Sequence, residues 1–386
     1  MDEIETRKQA IAMYLSNHKP MEICRSLDKS RPWFYKWLRR YHHDPKGQWY
    51  LDHSSVPHTC ERNYSKEQEN QVIQIRKKLE KNAYAQVGAI SIQWEMHKLN
   101  LPPLQIWTID RIIKRNQLTQ TKPLPQKRKN EYPDYSKAHT HELDLVGPRY
   151  LKKGGKHYFC NLIATQSHCI HLNVLKNKRA IGIVDSIMRF WKQFGLPDFL
   201  QLDNELSFRG SNRYPHSFGL LIRFVLSQGV TPVFIPQAEP WRNGIIEKFN
   251  DTFDKKCFRT QSFDCHQQLV NEVQAFERFH NQNYRYSAHN NRTPMQVHRQ
   301  NQYSCYLDPE YQLPEFIPLE TGEIIIIRFI RSNRLLKVFG ESFVVEPELI
   351  YNYVVACISI EAQALKIYLD DKLVQEFCYP TPVDWM

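Results

Sequence analysis

The sequence predicts a multidomain chain, in which two all-α units precede a central α/β mixed sheet and a strand-rich C-terminal segment. Three observations support this fold class. Capping residues and helical spacing of apolar residues recur through residues 1–118, strands alternate with helices from residue 135, and short strand-like runs fill residues 301–386. A chain of 386 residues is also too long for one core of usual size.

Residues 1–45 are predicted to form three short helices. Pro20 begins the second, and Ser30 is expected to cap the third, which covers residues 31–41. That third helix carries an apolar stripe on one side and basic residues on the other, as expected of a helix that packs on a small core while facing phosphates. We therefore predict a helix-turn-helix DNA-binding domain. Its candidate DNA contacts are Ser30, Arg31, Lys36, Arg39 and Arg40.

Residues 62–118 repeat this pattern. Ser65 and Gln68 form a capping box for a first helix, residues 89–98 form a second, and Thr108 is expected to cap a third. We predict a second helix-turn-helix DNA-binding domain, although a helical bundle with a solvated basic face is an alternative for either unit. The candidate contacts of this unit are Asp110, Arg111, Lys114 and Arg115.

The positive charge is concentrated in the N-terminal third. Residues 1–130 contain 24 Lys+Arg and 13 Asp+Glu, whereas residues 131–386 contain 28 of each, so the whole net charge of +11 is N-terminal. This asymmetry favours nucleic acid as the partner. Residues 119–134 combine prolines with a basic run and are predicted to be a basic linker, in which Lys127 and Arg128 contact phosphate or are simply solvated.

The sequence lacks features of a membrane or secreted protein. No segment has the length and apolar character of a membrane span, and the start, MDEIETRK, contains no apolar signal stretch. The nine cysteines include no C-x-x-C pair. We therefore expect no membrane partner and a reduced, cytoplasmic location.

Residues 135–300 are predicted to form the α/β unit. Three runs are expected to be successive antiparallel strands, at residues 140–146, 157–164 and 170–175. A helix, a strand, a helix and a strand follow, and then two long helices at about 241–258 and 266–281. This order is typical of an RNase H-like mixed sheet with helices on both faces. The strand-like runs of residues 301–386 predict a small C-terminal β-barrel domain, which carries no functional signal in its charge.

Three carboxylates occupy informative positions in this scheme. Asp144 lies inside the first predicted strand, Asp203 follows the fourth, and Glu247 lies near the start of a helix that Asn243 could cap. If strands one and four are neighbours, the three acids converge. Such a cluster needs protonation or a cation, and two Mg²⁺ (or Mn²⁺) ions there could activate an attacking oxygen and stabilise a leaving one in phosphodiester displacement.

The chain resembles a known family in several motifs. They are HELD at residues 141–144, LDNE at 202–205 followed by Phe208, RNGIIEKFN at 242–250, FERFHN at 276–281 and RTPMQ at 292–296. With these, residues 5–300 resemble the bacterial insertion-sequence transposases that share the retroviral-integrase (DDE, RNase H-like) core. The resemblance implies that Asp144, Asp203 and Glu247 are catalytic and bind two Mg²⁺ or Mn²⁺ ions. It also implies a bacterial, nucleoid-associated protein.

The sequence departs from this family at several points. Asp203 and Glu247 are separated by 43 residues, which is longer than is common among relatives, so we expect an insertion near residues 210–218 or in the helix after them. Glu205 stands where relatives usually have glycine, and it is a candidate extra ligand. Trp241 and Arg242 are candidates to stack on or clamp a DNA end, although Trp241 fits equally well as packing against its own helix.

We therefore predict a transposase that binds the terminal inverted repeats of its element, cleaves the 3′ ends and joins them to target DNA. Its expected partners are the repeats, a target duplex and further copies of itself, with an accessory ATPase as another candidate. Two alternatives are a sequence-specific DNA-binding regulator with a silent core and a metal nuclease without strand transfer.

Overall fold

The computed structural model describes residues 3–52, 63–119, 132–151, 155–210, 216–301 and 305–381. The chain divides into two compact units, Met1–Ser65 and Lys66–Met386. The second helical segment is therefore not a separate unit, because it belongs with the sheet. Most of the predicted linker, including Lys127 and Arg128, lies outside the described residues.

The first unit contains three helices. They are α1 (Glu3–Leu15), α2 (Pro20–Ser26) and α3 (Arg31–His43). The oxygen of Ser30 accepts from the backbone N–H of Trp33, so the predicted cap of α3 is confirmed. Phe34 and Trp37 on α3 are each 1% exposed. The guanidinium of Arg7 lies 3.9 Å from the Trp37 ring centroid, so the packed side of α3 excludes water from both.

Three further helices open the second unit. They are α4 (Lys66–Glu80), α5 (Ala89–Lys98) and α6 (Ile106–Arg115). The predicted cap of α6 is wrong, because the helix begins two residues before Thr108 and buries this side chain. The connection between α4 and α5 packs on the later part of the unit. The Tyr84 and Phe276 ring centroids are 5.3 Å apart, and the Tyr284 hydroxyl donates to the Tyr84 carbonyl over 2.8 Å.

A nine-stranded mixed sheet forms the centre of the second unit. Its first five strands along the chain are β1 (Thr140–Leu151), β2 (Gly155–Ala164), β3 (Ile170–Leu175), β4 (Phe199–Leu202) and β5 (Thr231–Phe234). β1, β2 and β3 are antiparallel neighbours, and β4 runs parallel to both β1 and β5. The predicted strand order of an integrase-like sheet is thus present.

Helices cover both faces of this sheet. They are α7 (Ala180–Phe194), α8 (Leu206–Arg209), α9 (Leu220–Ser227), α10 (Gly244–Phe253), α11 (His266–Asn283) and α12 (Pro294–Gln300). Alternate residues of β2 enter different cores: Leu162 packs with α7 and α9, whereas Phe159 packs with α10 and α11. The helix predicted at residues 241–258 is shorter, because α10 ends at Phe253 and a π-helical turn covers Asp254–Phe258.

The C-terminal strands do not form the predicted separate β-barrel. They are β6 (Glu323–Phe329), the hairpin β7 (Leu335–Val338) and β8 (Glu341–Val344), and then β9 (Tyr353–Ser359), β10 (Ala364–Leu369) and β11 (Lys372–Cys378). The sheet order is β11-β10-β9-β6-β5-β4-β1-β2-β3, and β7 pairs only with β8. β6 pairs in parallel with β5, where Phe234 faces Ile326 across the ladder. This pairing covers an edge that would otherwise expose unpaired backbone groups, and it merges the C-terminal core with the central one.

Within the described part of the chain, no helix is both long enough and apolar enough to cross a membrane.

Candidate active site

The strand register places two of the predicted acids side by side. β1 and β4 run parallel, and Glu142 is the partner of Gln201. Two residues further along each segment lie Asp144 and Asp203. Because side chains two residues apart on a strand share a face, this register brings the two aspartates to one end of the strand pair.

The third acid, Glu247, lies in the first turn of α10 and is exposed. The three carboxyl groups are close enough to affect one another. Burial raises the pKa of Asp144 to about 6, with further contributions from the negative charges of Asp203 and Glu247. Burial also raises the pKa of Asp203 and of Glu247, and the charge of Asp203 adds to the shift of Glu247. The three predicted carboxylates thus lie in one region of the fold, two of them on β1 and just after β4 and the third at the start of α10.

A fourth carboxylate, which the sequence analysis did not single out, fastens α10 to β1. Oε2 of the fully buried Glu142 accepts from the backbone N–H of Ile246 over 2.7 Å. Asn243 occupies the position before α10, but its side chain makes no capping bond to the helix. Instead its Oδ1 accepts from Nε2 of Gln201 over 3.0 Å. Glu142 thus replaces the predicted cap, and the first turn of α10 is fixed against the sheet.

Two asparagines connect the strand and the helix directly beside the acids. Nδ2 of Asn250 donates to Oδ2 of Asp144 over 2.6 Å, and Oδ1 of Asn250 accepts from Nδ2 of Asn161 over 2.8 Å. Asn161 is the cross-strand partner of Asp144. The sequence contained signals for both residues, because Asn161 interrupts an apolar strand and Asn250 follows Glu247 by about one helical turn.

The loop after β4 holds Asp203 through its own backbone. Oδ1 of Asp203 accepts from the backbone N–H of Glu205 over 3.0 Å. The Glu205 carboxylate itself pairs with Nζ of Lys178 at 2.7 Å. This ion pair occupies the side chain that the sequence suggested as an extra ligand.

The extra chain length between Asp203 and Glu247 includes a closed excursion. The Gly219 N–H donates to the Arg209 carbonyl over 3.2 Å, so the chain returns to its starting point. Gly210 has a φ of +101°, and a Cβ there would lie only 2.8 Å from the Gly219 nitrogen. This excursion coincides with the place at which we predicted an insertion; its residues 211–215 are not described.

The donor set fits a hard divalent cation. All three groups are carboxylates, and each has a raised pKa in a site where negative charges accumulate, which is the electrostatic setting that Mg²⁺ or Mn²⁺ neutralises. In the parts of the chain that the structure describes, however, no three His, Cys, Asp or Glu side chains already form a metal centre. The three carboxylates lie in the same region, but in the described residues they are not arranged as ligands of one ion.

Arg242 and Trp241, the two candidate DNA contacts in the loop before α10, have different surroundings. Arg242 is engaged inside the protein: its guanidinium lies 3.7 Å from the Tyr132 ring centroid, pairs with Glu239 at 2.9 Å and donates to the Tyr353 hydroxyl over 3.0 Å. The DNA contact of Arg242 stays a prediction. The Trp241 side chain is 46% exposed.

The other predicted DNA contacts lie on two exposed helical surfaces. On α3, Ser30, Arg31, Lys36 and Arg39 are exposed, and Arg40 is half-buried because it donates to the Leu51 carbonyl over 2.9 Å. On α6 the exposed set comprises Asp110, Arg111, Lys114 and Arg115. Arg111 also lies 5.0 Å from the ring centroid of Trp107. Both helices thus present basic groups to solvent.

Two segments of the chain match known protein families. Residues 228–294 match a family described as the integrase core domain, and residues 7–70 match one described as a winged helix-turn helix. The first match includes Glu247 but not Asp144 or Asp203. No curated protein sequence matches the chain significantly.

Solved structures of viral integrases are distantly similar. The HTLV-2 integrase catalytic core in complex with magnesium is 18% identical, with a TM-score of 0.33 over 42% of this chain and 96% of that one. The BIV integrase catalytic core is 14% identical, with a TM-score of 0.33 over 43% and 96%. A simian T-cell lymphotropic virus intasome with the PP2A subunit B56 gamma is 14% identical, with a TM-score of 0.37 over 77% and 97%.

The mixed sheet therefore contains a segment that matches the integrase core domain, and the N-terminal residues of the same chain match a winged helix-turn helix. This combination is consistent with a transposase or integrase, and it supports a role in DNA processing.

Proposed function

We propose that this protein is a DNA transposase that cleaves the 3′ ends of its mobile element and joins them to target DNA, with Asp144, Asp203 and Glu247 as the catalytic carboxylates. The observation that carries the proposal is the hydrogen bond between Asn250 and Asp144, which holds the helix that carries Glu247 beside the strand pair that leads to both aspartates. A helix-turn-helix region in the same chain supplies the means to recognise DNA.

The three carboxylates would hold two Mg²⁺ or Mn²⁺ ions. When bound, the ions supply charge neutralisation and activation for in-line phosphodiester displacement. The protein contributes the fixed placement of the acids: Asn250 orients Asp144, the Glu205 amide orients Asp203, and Glu142 holds the turn that carries Glu247. Because Glu247 is exposed, we infer that its side chain turns toward the two aspartates when the site is filled.

In this proposal the basic surfaces of α3 and α6 bind the terminal inverted repeats. In this proposal the exposed residues Ser30, Arg31 and Lys36 read bases, and the exposed Arg39 contacts phosphate. Two ends must be processed together, so we propose that several copies of the chain assemble on the repeats and the target duplex. The site of action is then the bacterial nucleoid.

The test is a comparison of binding, cleavage and joining by full-length variants. Asp144→Asn, Asp203→Asn and Glu247→Gln should bind the ends of the element like the parent. Each should lose more than about 100-fold in 3′-end cleavage in Mg²⁺ or Mn²⁺, because even residues that only support metal ligands commonly cost 10–100-fold. Double variants should lose little more, since all three serve the same ions. Asp251→Asn is the matched control, because Asp251 lies on α10 and pairs with Lys255.

A substrate with a pre-cleaved 3′-hydroxyl end separates the alternatives. Joining of this end to a target duplex supports the transposase. Cleavage without joining supports a metal nuclease instead, and binding with neither reaction supports a DNA-binding regulator.

A further inference from the structure

The C-terminal strands bring a buried arginine to the loop that carries Asp203. Arg328 lies on β6 and is only 7% exposed. Burial, and then the positive charge of Arg209, lowers its pKa to about 10. Among the residues that the structure describes, no carboxylate forms an ion pair with it. A buried guanidinium of this kind is costly unless its hydrogen bonds are satisfied.

Two of the hydrogen bonds that Arg328 donates reach the loop that follows Asp203 and the end of β5. Its Nη2 donates to Oδ1 of Asn204 over 2.6 Å, and its Nη1 donates to the Ile235 carbonyl over 3.0 Å. Nδ2 of Asn204 donates to the same Ile235 carbonyl over 2.6 Å. The three groups form a closed triangle around the residue that directly follows Asp203. On the other side, Nε of Arg328 donates to the Lys337 carbonyl over 3.0 Å, which connects the triangle to the β7–β8 hairpin.

This geometry suits a guanidinium in particular. The planar fork reaches Asn204, Ile235 and Lys337 at once, and an ammonium group on a flexible stem would not hold the same set of acceptors in fixed directions. The side chain of Asn204 is thereby fixed from both of its polar atoms. The backbone next to Asp203 is thereby anchored to β6, and the Asp203 carboxylate accepts from the Glu205 N–H in the same loop.

We propose that Arg328 is a positioning residue of the active site, which acts through Asn204 to hold Asp203 in the direction that metal binding requires. The C-terminal strands are then part of the catalytic unit. This inference rests on the proposed function, because it assumes that Asp203 is a metal ligand.

The test measures Mn²⁺ binding to the full-length protein by electron paramagnetic resonance, together with thermal unfolding. Arg328→Gln and Asn204→Ala should each weaken Mn²⁺ affinity about 10–100-fold, the usual effect of removing a group behind a metal ligand. The double variant should be no weaker than the worse single variant, because both act along one path. Arg223→Gln is the matched control: Arg223 also donates to backbone carbonyls, those of Phe218 and Ile317, and its loss should leave Mn²⁺ affinity unchanged.

Measuring both Mn²⁺ affinity and thermal unfolding distinguishes a loss of positioning from a loss of stability in these variants. Parental Mn²⁺ affinity in a folded Arg328→Gln protein overturns the inference, as do additive losses in the double variant. If Arg328→Gln does not fold, Asn204→Ala decides alone, and parental affinity in that variant overturns the inference. Asp203→Asn tests the proposed function. If this variant binds Mn²⁺ like the parent, both proposals fail. If Asp203→Asn loses Mn²⁺ binding while Arg328→Gln keeps it, only the role of Arg328 is rejected.

Discussion

Nδ2 of Asn250 lies 2.6 Å from Oδ2 of Asp144, so a side-chain hydrogen bond joins the helix that carries Glu247 directly to the first aspartate. Asn161 holds the other end of the Asn250 carboxamide over 2.8 Å. Asn161 thus orients the Asn250 carboxamide, which in turn orients Asp144. The bond that Asn250 donates favours the charged form of the Asp144 carboxylate.

Asn250→Ala should reduce 3′-end cleavage about 10–100-fold while leaving DNA binding unchanged, because Asp144 loses the donor that orients it. The measurement is single-turnover cleavage over a range of Mg²⁺ concentrations, where the variant should need more metal. Thr252→Ala on the same helix removes only a bond to the Lys248 carbonyl and should behave like the parent. Equal cleavage by both variants at all Mg²⁺ concentrations would contradict a role for Asn250.

Glu142 should make stability fall as the pH rises. Burial raises its pKa to about 8 from a normal value of 4.5, so the folded state prefers the protonated carboxyl. Its contribution is fully present below pH 4.5 and is lost as the pH rises through about 8. Glu142→Gln is neutral throughout, so the stability of the parent relative to this variant should decline between pH 5 and 8 by up to about 1.4 kcal/mol per pH unit. Urea unfolding at several pH values measures this, and parallel curves would reject it.

His141 should act in the opposite direction. Its side chain is fully buried, it packs on Phe190 at 4.7 Å between ring centroids, and burial holds its pKa well below the normal 6.5. The folded state therefore needs the neutral ring, and this contribution is present above pH 6.5 and lost as the pH falls. His141→Leu should unfold at a higher temperature than the parent, with a difference that grows from pH 7 to pH 5. A constant difference would show that His141 does not take up a proton on unfolding.

Arg31 and Arg39 should contribute to DNA binding in different ways. Arg31→Ala should weaken binding to the repeat by about 1–3 kcal/mol and relax sequence preference, because Arg31 lies at the exposed start of α3. Arg39→Ala should weaken binding to repeat and scrambled DNA alike and reduce the salt slope by about 1. Binding titrations at several salt concentrations separate the two effects. Arg25→Ala on α2 is the control, and an equal loss in that variant would assign the effect to net charge alone.

Local patterns determined much of the secondary structure. The cap at Ser30 and the apolar spacing of α3 act within a few residues, and the runs that form β1 to β5 alternate or stay apolar over short windows. The order of these elements also predicts that Asp144, Asp203 and Glu247 lie near one another, because neighbouring strands and the helix that crosses them define one edge of the sheet.

The tertiary structure alone decided what holds the carboxylates. The bonds from Asn161 to Asn250, from Ile246 to Glu142 and from Asn250 to Asp144 span 89, 104 and 106 positions, and no local period encodes such pairs. The same reason explains the wrong β-barrel: each C-terminal run was recognisable as a strand, but the pairing of β6 with β5 depends on which edge of the folded sheet is open. The environment of Arg242 has the same cause. The sequence indicates a surface cation, but the folded chain holds Arg242 between Tyr132 and Tyr353, which are each more than a hundred positions away.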